Sequence, residues 1–581
     1  MPSHSLLYDV TVEVFTNRFA PNDATERSNV FFDLTPQKSK IWLAPSAHIF
    51  FFFSSQDGLT VVVVGASGDL AKKKTYPSLF ALFENDLLPS NVTIWGYARS
   101  QMTHQDLRQK LRPYLLNNNN NNNNDDKIDE FLSRCYYKNG KSYGDEQAFT
   151  ELMRHVHENE TTTSNVNNNN RLFYLAIPPN VFGETGVAIK RTALLAAEQH
   201  DRKGWTRLVI EKPFGRDLDS CNELMRVLSE QFEEHHLYRI DHYLGKEVVQ
   251  NLIMWRFGNS PFEFMWNRNA IQCVLLTFQE EIGTQGRGGY FDNYGIIRDI
   301  LQNHLLQVLT LLAMEPPTTT NDDNNDDGHP GDYIRNGKAR VLQAMPPVLM
   351  SDCLLGQYEG YAANDDSITN KETQTPTYAA LRCFVNTPRW EGVPFVMQAG
   401  KALNERKCEI RIQFRDPPPT NELLFNNHQR LPKTELVMRI QPNPAIYMVT
   451  NMKSPGFSYQ PKTVPVGMEY GPLIQHNPRD DNPDAYTRLI LDVLRGRQGS
   501  FVRNDELRRS WEIFTPLLHE IEQRTTRRST VEVHPYAPQS HGPAAKNDFL
   551  RRMGVHVVDE NDSGTTPTQQ LQQQQPRHSA L

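Results

Sequence analysis

The sequence has no pair of cysteines close enough together to suggest a redox dithiol or a zinc site. Its six cysteines, Cys135, Cys221, Cys273, Cys353, Cys383 and Cys408, are scattered and no CxxC occurs, so free thiols in a reduced compartment are expected. Long hydrophobic runs are missing too. The longest, "HIFFFF" from His48 and "LTVVVVGA" from Leu59, fall far short of the roughly 20 apolar residues of a membrane span, and no membrane association is expected. Basic residues are not in excess: 61 Lys and Arg stand against 68 Asp and Glu, for a net charge of −7. That balance argues against a general nucleic-acid or membrane-surface binder, so any phosphate site has to be built locally. The first 45 residues carry Asp9, Glu13, Asp23, Glu26 and Asp33 without a basic leader segment, which fits a cytoplasmic protein better than a targeted one. No internal repeat is visible.

The 581 residues suffice for two or three domains with real cores. Polar tracts punctuate them: Asn117 to Asn124, "TTTSNVNNNN" ending at Asn170, "TTTNDDNNDD" near Asn321, and a Gln-rich tail after Thr566. Such tracts cannot bury apolar surface and read as disordered loop insertions. Between them, strand-like runs at Thr60 to Val64, Val92 to Tyr97, Arg171 to Ile177 and Thr206 to Ile210 alternate with helical stretches. Buried β-branched strands alternating with helices predict a doubly wound parallel sheet of Rossmann-like α/β type. Beyond Leu237 one apolar-periodic helix, Gly295 to Met314, stands among alternating runs such as "IQCVLLTFQ" and "CEIRIQFR". That pattern predicts an α+β domain with a large mixed or antiparallel sheet. The expected division is an N-terminal extension at 1–56, expected to be disordered, a nucleotide domain at 57–240, an α+β domain for substrate and oligomerisation at 241–545, and a polar tail at 546–581.

In "TVVVVGASGDLAKKK", Gly65, Gly68 and Ala71 follow a buried strand and open a helix. Glycine permits the turn and the close approach of backbone to a pyrophosphate, and a helix N-terminus offers N–H donors. The second strand ends "WGYARS", with Arg99 where an NAD-binding fold usually places an acid. Ser67, Lys74 and Arg99 can together surround a 2′-phosphate, which favours NADP.

Lys212 in "TRLVIEKPFGRD" lies just past a buried strand, where ligands of open α/β sheets bind, although a plain polar turn reads equally well. In "YRIDHYLGKE" a helix starting near Asp241 would set His242 and Lys246 four apart on one face, able to converge on a dianion; Asp241 reads as its N-cap. His304 in "DILQNHLLQ" is either a core histidine or a general base for an alcohol. A base of that kind needs a carboxylate partner. Asp299, five residues earlier, is rotated about 140° on an α-helix, so the partner is expected from another segment.

Together "GASGDLAKKK", "EKPFGRDL", "YRIDHYLGKE", "GRGGYFDNYGIIRDILQNHLLQ", "GKALNERKCEIRIQF", "DAYTRLILDVLRG" and "EIFTPLLH" resemble the glucose-6-phosphate dehydrogenase family, from about residue 57 to residue 553. The resemblance implies NADP-dependent oxidation of glucose 6-phosphate to the lactone in the oxidative pentose phosphate route, by a homodimer or homotetramer. It makes His304 the base and Asp241 its orienting partner. His242, Tyr243 and Lys246 would hold the phosphate, and Lys212, Glu280, Asp299, Lys401 and Arg406 would bind or position the sugar. Gly65, Ser67, Gly68, Asp69, Leu70, Lys74, Arg99, Tyr174 and Lys212 would serve the coenzyme, and no metal is implied. Members with a second, structural NADP share Lys407, Arg411, Arg439 and Tyr447, but Gln398 replaces a basic position and the C-terminal aromatics are missing, so a second nucleotide is not expected. Cys135 stands alone where plastid members carry a regulatory cysteine pair. Two other readings stay open: a dehydrogenase of another aldose or of unphosphorylated glucose, and a catalytically silent nucleotide-binding scaffold.

Overall fold

The computed structural model describes residues 57–116, 125–162, 168–194, 204–316, 330–418, 431–453, 455–457, 461–469, 483–526 and 532–557. The extension at 1–56, the Asn run at 117–124, the tract near Asn321 and the Gln-rich tail lie outside the described residues. Six strands, β1 (Asp57–Val64), β2 (Asn91–Ala98), β3 (Cys135–Asn139), β4 (Asn168–Leu175), β5 (Thr206–Ile210) and β6 (Leu237–Arg239), form a parallel sheet in the order β3-β2-β1-β4-β5-β6. Val61 to Val64 of its central strand are wholly buried, as expected of a parallel sheet covered on both faces.

The tract ending at Asn170 is only partly a loop. Thr161 and Thr162 close the helix Glu146–Thr162, and Asn168 to Asn170 pair with Asp57 to Leu59 in register. Backbone pairing, which is indifferent to side-chain polarity, recruits them, and the Asn170 side chain accepts a hydrogen bond from the Trp205 N–H at 3.1 Å.

A second sheet of nine strands follows: β7 (Ile271–Gln279), β8 (Cys353–Tyr358), β9 (Tyr378–Cys383), β10 (Phe395–Gly400), β11 (Lys407–Phe414), β12 (Glu435–Gln441), β13 (Ala445–Lys453), β14 (Pro461–Glu469) and β15 (Val533–Tyr536). Their order is β14-β13-β12-β11-β7-β10-β9-β8-β15. The β7–β10 and β8–β15 pairs are parallel and the others antiparallel, so the sheet is mixed. The long helix predicted over Gly295 to Met314 is wound in two ways. Ile297–Leu305 takes wide turns with i→i+5 hydrogen bonds, and Leu306–Ala313 is α-helical.

Two expected boundaries shift. The helix Ala485–Leu494 sends Tyr486, Leu489, Ile490 and Val493 into the core of the first sheet, so that core takes residues from beyond 240. The helix Lys546–Arg552 buries Phe549 and Leu550, and Met553 and Val555 are also buried; the packed chain therefore continues past 545.

The helix that carries His304 is pinned from behind by a buried pair. The Lys338 ammonium lies 3.0 Å from Glu506, both side chains fully inaccessible, and donates to Gln307 Oε1 at 3.1 Å. Removing one partner of such a pair costs about 3–5 kcal/mol because the other charge is left buried and uncompensated, whereas an apolar replacement of both is often neutral. Lys338→Met is therefore expected to lower the thermal unfolding midpoint sharply, and Lys338→Met with Glu506→Leu to recover most of the loss, as read by scanning calorimetry.

Candidate active site

Four strand ends, those of β5, β6, β7 and β10, and one helix build the site. At the end of β6, Asp241 caps the short turn His242–Gly245 by accepting the Tyr243 N–H at 3.0 Å. The same oxygen lies 2.6 Å from His304 Nδ1. The N-cap reading and the partner reading of Asp241 are thus both true of one atom. Asp241 and His304 are almost completely buried, 3% and 2% exposed. Burial opposes ionisation of Asp241, but the charge and hydrogen bond of His304 outweigh it and hold the carboxyl at about 2. An ionised carboxylate can only accept, so the proton sits on Nδ1 and the His304 Nε2 lone pair is left as the basic atom. Burial pulls the imidazole below its ordinary range, against the raising effect of Asp241, and keeps it neutral near pH 7.

The wide winding of Ile297–Leu305 overturns the expectation for Asp299. With i→i+5 turns, residues five apart lie roughly over one another, so Asp299 shares the His304 face and the two groups interact electrostatically. Lys212 donates to the Asp299 carbonyl at 2.8 Å and to its carboxylate at 3.3 Å, and Lys401 sits 2.5 Å from Glu280 and 3.7 Å from Asp299. Burial works against the Asp299 charge, yet Lys212 and Lys401 hold its carboxyl below the usual range. These four residues line one cleft of about 470 Å³ with Thr284, Tyr290 and Asn303. Alternating ammonium and carboxylate groups of this kind suit a ligand rich in hydroxyls, each able to donate and accept.

His242 and Lys246 do not share a helical face. Lys246 has extended backbone and precedes the helix Glu247–Phe257, because the chain makes one tight turn at His242–Gly245 and then restarts. His242 packs edge-on to His304, with ring centres 4.6 Å apart, and parallel to Tyr486 at 5.8 Å. Burial, with the charge of His304, pulls it well below the ordinary histidine range, so it can serve as a neutral donor. Burial also lowers the Lys246 ammonium; Asp484 counters this, while Lys74 and Arg406 add to it. Three cations held near one another with a single carboxylate among them favour an anion of more than one charge.

Tyr243 lies next to His304. It is 2% exposed, its hydroxyl accepts from Gln441 at 3.1 Å, and its ring lies 4.7 Å from His304, so its side chain is a floor for the base. Asp241, His242 and His304 have donor atoms within 4.8 Å of one another, a spacing that can hold a metal ion. The ammonium groups of Lys212 and Lys246, both acting on the His242 imidazole, favour an anionic ligand instead.

At the same carboxyl edge of the first sheet, after its central strand β1, Gly65 turns with φ +89° and its N–H donates to the Tyr97 carbonyl at 2.7 Å. A Cβ there would stand 2.2 Å from the Ala176 carbonyl oxygen, so the close approach requires glycine. Gly68 donates back to Gly65 at 2.9 Å, and Leu70 leads into the following helix. Asp69 is engaged by Lys72 and Lys73 at 3.2 and 3.1 Å. Ser67 accepts from Ser100 at 3.3 Å, and exposed Arg99 lies over the Tyr143 ring at 5.2 Å with no ion pair among the described residues. Lys74 leaves this group: its ammonium is 3.0 Å from Asp484, on the Lys246 side. Tyr174 donates to Glu211 at 2.5 Å. The glycine cradle and a free guanidinium one strand end away fit a dinucleotide with an extra phosphate.

Other residues that the sequence suggested for a second nucleotide are occupied within the chain. Lys407 and Arg411 face Glu409, Arg411 also pairs with Glu435, and Arg439 donates to the Asn443 carbonyl. Gln398 is buried between Tyr378 and Thr277. Sequence reasoning missed Glu211, Asp484 and Tyr486. For Glu211 a signal was present: an acid closing a buried strand in "LVIEKP".

Comparison with known proteins gives the family. Residues 62–251 match the family profile described as glucose-6-phosphate dehydrogenase, NAD binding domain, and residues 253–558 that of the C-terminal domain. A glucose-6-phosphate 1-dehydrogenase of Dictyostelium discoideum is 43% identical over 520 residues, covering 88% of this chain and 98% of that one. The cytoplasmic isoform of Solanum tuberosum is 45% identical over 498 residues, covering 85% and 92%. A solved glucose-6-phosphate dehydrogenase in complex with its substrate glucose-6-phosphate superposes with a TM-score of 0.77 at 40% identity, covering 87% of this chain and 99% of that one. From its two profile matches, its relatives and its fold, the chain belongs to the glucose-6-phosphate dehydrogenase family.

Proposed function

We propose that this oxidoreductase oxidises the anomeric carbon of glucose 6-phosphate to the lactone, with NADP as coenzyme, by general-base catalysis at His304. The observation that carries the reading is the buried 2.6 Å contact of His304 with Asp241, set beside a cleft of lysines and carboxylates and next to a cluster of cations. NADP, when bound, supplies the hydride acceptor. The chain supplies position and a proton path. His304 Nε2 takes the proton of the anomeric hydroxyl, and Asp241 stabilises the imidazolium that results. Lys212, Asp299, Glu280 and Lys401 engage the sugar hydroxyls. His242 and Lys246, with Arg406 at the rim, receive the phosphate. Arg99 and Ser67 face the 2′-phosphate of the coenzyme.

A homodimer or homotetramer in the cytoplasm completes the reading. Six free thiols accord with a reducing compartment, and Met452 and Val466 on β13 and β14 are exposed apolar residues. No helix among the described residues is long and apolar enough to cross a membrane. Relatives include both cytoplasmic and chloroplastic isoforms.

His304→Asn is expected to lower kcat by about 10²- to 10⁴-fold while sugar phosphate binding stays measurable by calorimetry. Because burial lowers the pKa of His304, its contribution to the acid limb of kcat/KM should fall below the ordinary histidine value of about 6.5: activity is lost as the imidazole protonates. Lys246→Ala should raise the KM for glucose 6-phosphate about tenfold or more, the size of a lost charge-assisted hydrogen bond, and leave the KM for NADP and the rate with unphosphorylated glucose unchanged. Arg99→Ala should weaken NADP by a similar factor without affecting NAD, measured from initial rates of nicotinamide reduction. Full activity of His304→Asn would overturn the base assignment, and an unchanged KM in Lys246→Ala would favour a phosphate-free substrate.

A further inference from the structure

One oxygen of Asp241 meets both the Tyr243 N–H, at 3.0 Å, and His304 Nδ1, at 2.6 Å. The other, Oδ2, is buried with no hydrogen-bond partner among the described residues. An oxygen of an ionised carboxyl left in that condition is costly, more so than a neutral group. Asp241 does not line the cleft proposed for the sugar. It lines a smaller cavity of about 20 Å³ that shares Lys212, Arg298 and Asn303 with that cleft and is closed by Gln302 and Gln307 and by Ser510 of the helix Asn504–Thr526.

The hydrogen bonds around this cavity decide which way both glutamine amides point. The Ser510 hydroxyl donates its one proton to the Leu507 carbonyl at 2.7 Å, so toward Gln302, 2.9 Å away, it can only accept. Gln302 therefore turns its NH₂ to Ser510, and its Oε1 has no hydrogen bond among the described residues. Lys338 can only donate, so Gln307 turns its Oε1 to that ammonium, at 3.1 Å, and its NH₂ is left over. The wall thus contributes two unused acceptors, Asp241 Oδ2 and Gln302 Oε1, and one unused donor, Gln307 Nε2. Its cations are engaged: Arg298 with the Arg216 carbonyl and Glu522, and Lys212 with Asp299. One internal water needs roughly 10–15 Å³ and makes about three hydrogen bonds. Two protons to give and a lone pair to receive match this set, whereas a cation would meet the Gln307 N–H.

We propose that this cavity binds one internal water, which donates to Asp241 Oδ2 and Gln302 Oε1 and accepts from Gln307, and that Gln302 and Gln307 are thereby positioning residues for the base His304. The inference rests on the reading of His304 and Asp241 as the base and its partner. The water holds the plane of the carboxylate at its second oxygen. It also ties Asp241, through Gln307, to the buried Lys338–Glu506 pair. Its hydrogen bond stabilises Asp241 most while His304 is neutral, because the imidazolium itself compensates the carboxylate once the proton has been taken. Loss of the water therefore favours the imidazolium and raises the pKa of His304. The other charged or titratable groups that act on this pair are Lys212 at the end of β5 with Glu211 beside it, His242 after β6, Asp299 on the His304 helix, and Tyr486 from the helix Ala485–Leu494. A substitution at Gln302 changes none of them, so their titrations, including that of Glu211, which burial pushes up to about 7, are common to variant and wild type.

A high-resolution crystal structure of the wild-type protein without substrate tests the site directly. One ordered water is expected within hydrogen-bonding distance of Asp241 Oδ2, Gln302 Oε1 and Gln307 Nε2; a cavity without it, or a water that does not reach Oδ2, overturns the proposal whichever sugar the chain oxidises. Gln302→Met keeps the length of the side chain, removes the amide oxygen, and should lose that water. The ratio of variant to wild-type kcat/KM for glucose 6-phosphate then tests the positioning role, because the substrate phosphate, with its own pKa near 6, cancels from it. The ratio is expected to be level above about pH 8 and to fall toward acid by up to about tenfold, the factor carried by one unit of pKa. A ratio that is flat with pH overturns the positioning role, even where the variant is uniformly slower, since a merely structural defect lowers the rate without moving the acid limb. Wild type that binds the water but does not oxidise glucose 6-phosphate would count against the reading of the reaction and leave the water site standing.

Discussion

The hydrogen bond between Asp241 and His304 is the constraint around which the rest of the molecule is arranged. It joins the last strand end of the parallel sheet to a helix packed on the mixed sheet, so neither element holds a complete base. An imidazole buried among Leu301, Leu305 and Tyr243 would gain nothing from an unpaired carboxylate, and an unpaired carboxylate at that depth would take up a proton. Each makes the other tolerable, and the pair fixes which ring nitrogen is basic. The helix must therefore not turn, and the buried Lys338–Glu506 pair holds it through Gln307.

Charge is distributed with the same economy. The chain as a whole is acidic, yet Lys74 and Arg406 both act on Lys246, with Asp484 as the countering carboxylate. Repulsion between neighbouring cations is relieved by an anion, which is how a protein of net negative charge could present the proposed phosphate site. In the cleft proposed for the sugar the opposite arrangement holds. Lys212, Lys401, Glu280 and Asp299 neutralise one another and offer donors and acceptors without net charge.

Much of the fold was legible because it rests on short-range pattern. Four Val residues from Val61 to Val64, followed by glycines and a helix, specify a parallel strand and its turn through local sterics and burial alone, and Gly65 is legible as the residue whose Cβ would strike a neighbouring carbonyl. Alternation in "CEIRIQFR" likewise reports a sheet. The polar tract ending at Asn170 misled, because three asparagines join β4 through their backbones and sequence polarity does not report backbone pairing. Lys74 was assigned to the coenzyme by pattern and Tyr243 to the phosphate by resemblance; in the fold Lys74 pairs with Asp484 and the Tyr243 ring lies beside His304.

The sequence by itself determined the chemistry available: which residues can carry a proton, a positive charge or a tight turn, and in which segments they lie. Only tertiary structure decided which of them meet. Asp241 and His304 are 63 residues apart, and no periodicity joins them; strand pairing on one side and helix packing on the other bring them together. Asp299 turned toward His304 because that helix is wound with i→i+5 bonds, a choice made by packing over its length and not by any residue within it. The electrostatics followed from burial. A carboxyl such as Glu211 has the same composition on a surface as in a core, and its proton affinity is set by the water that folding removes.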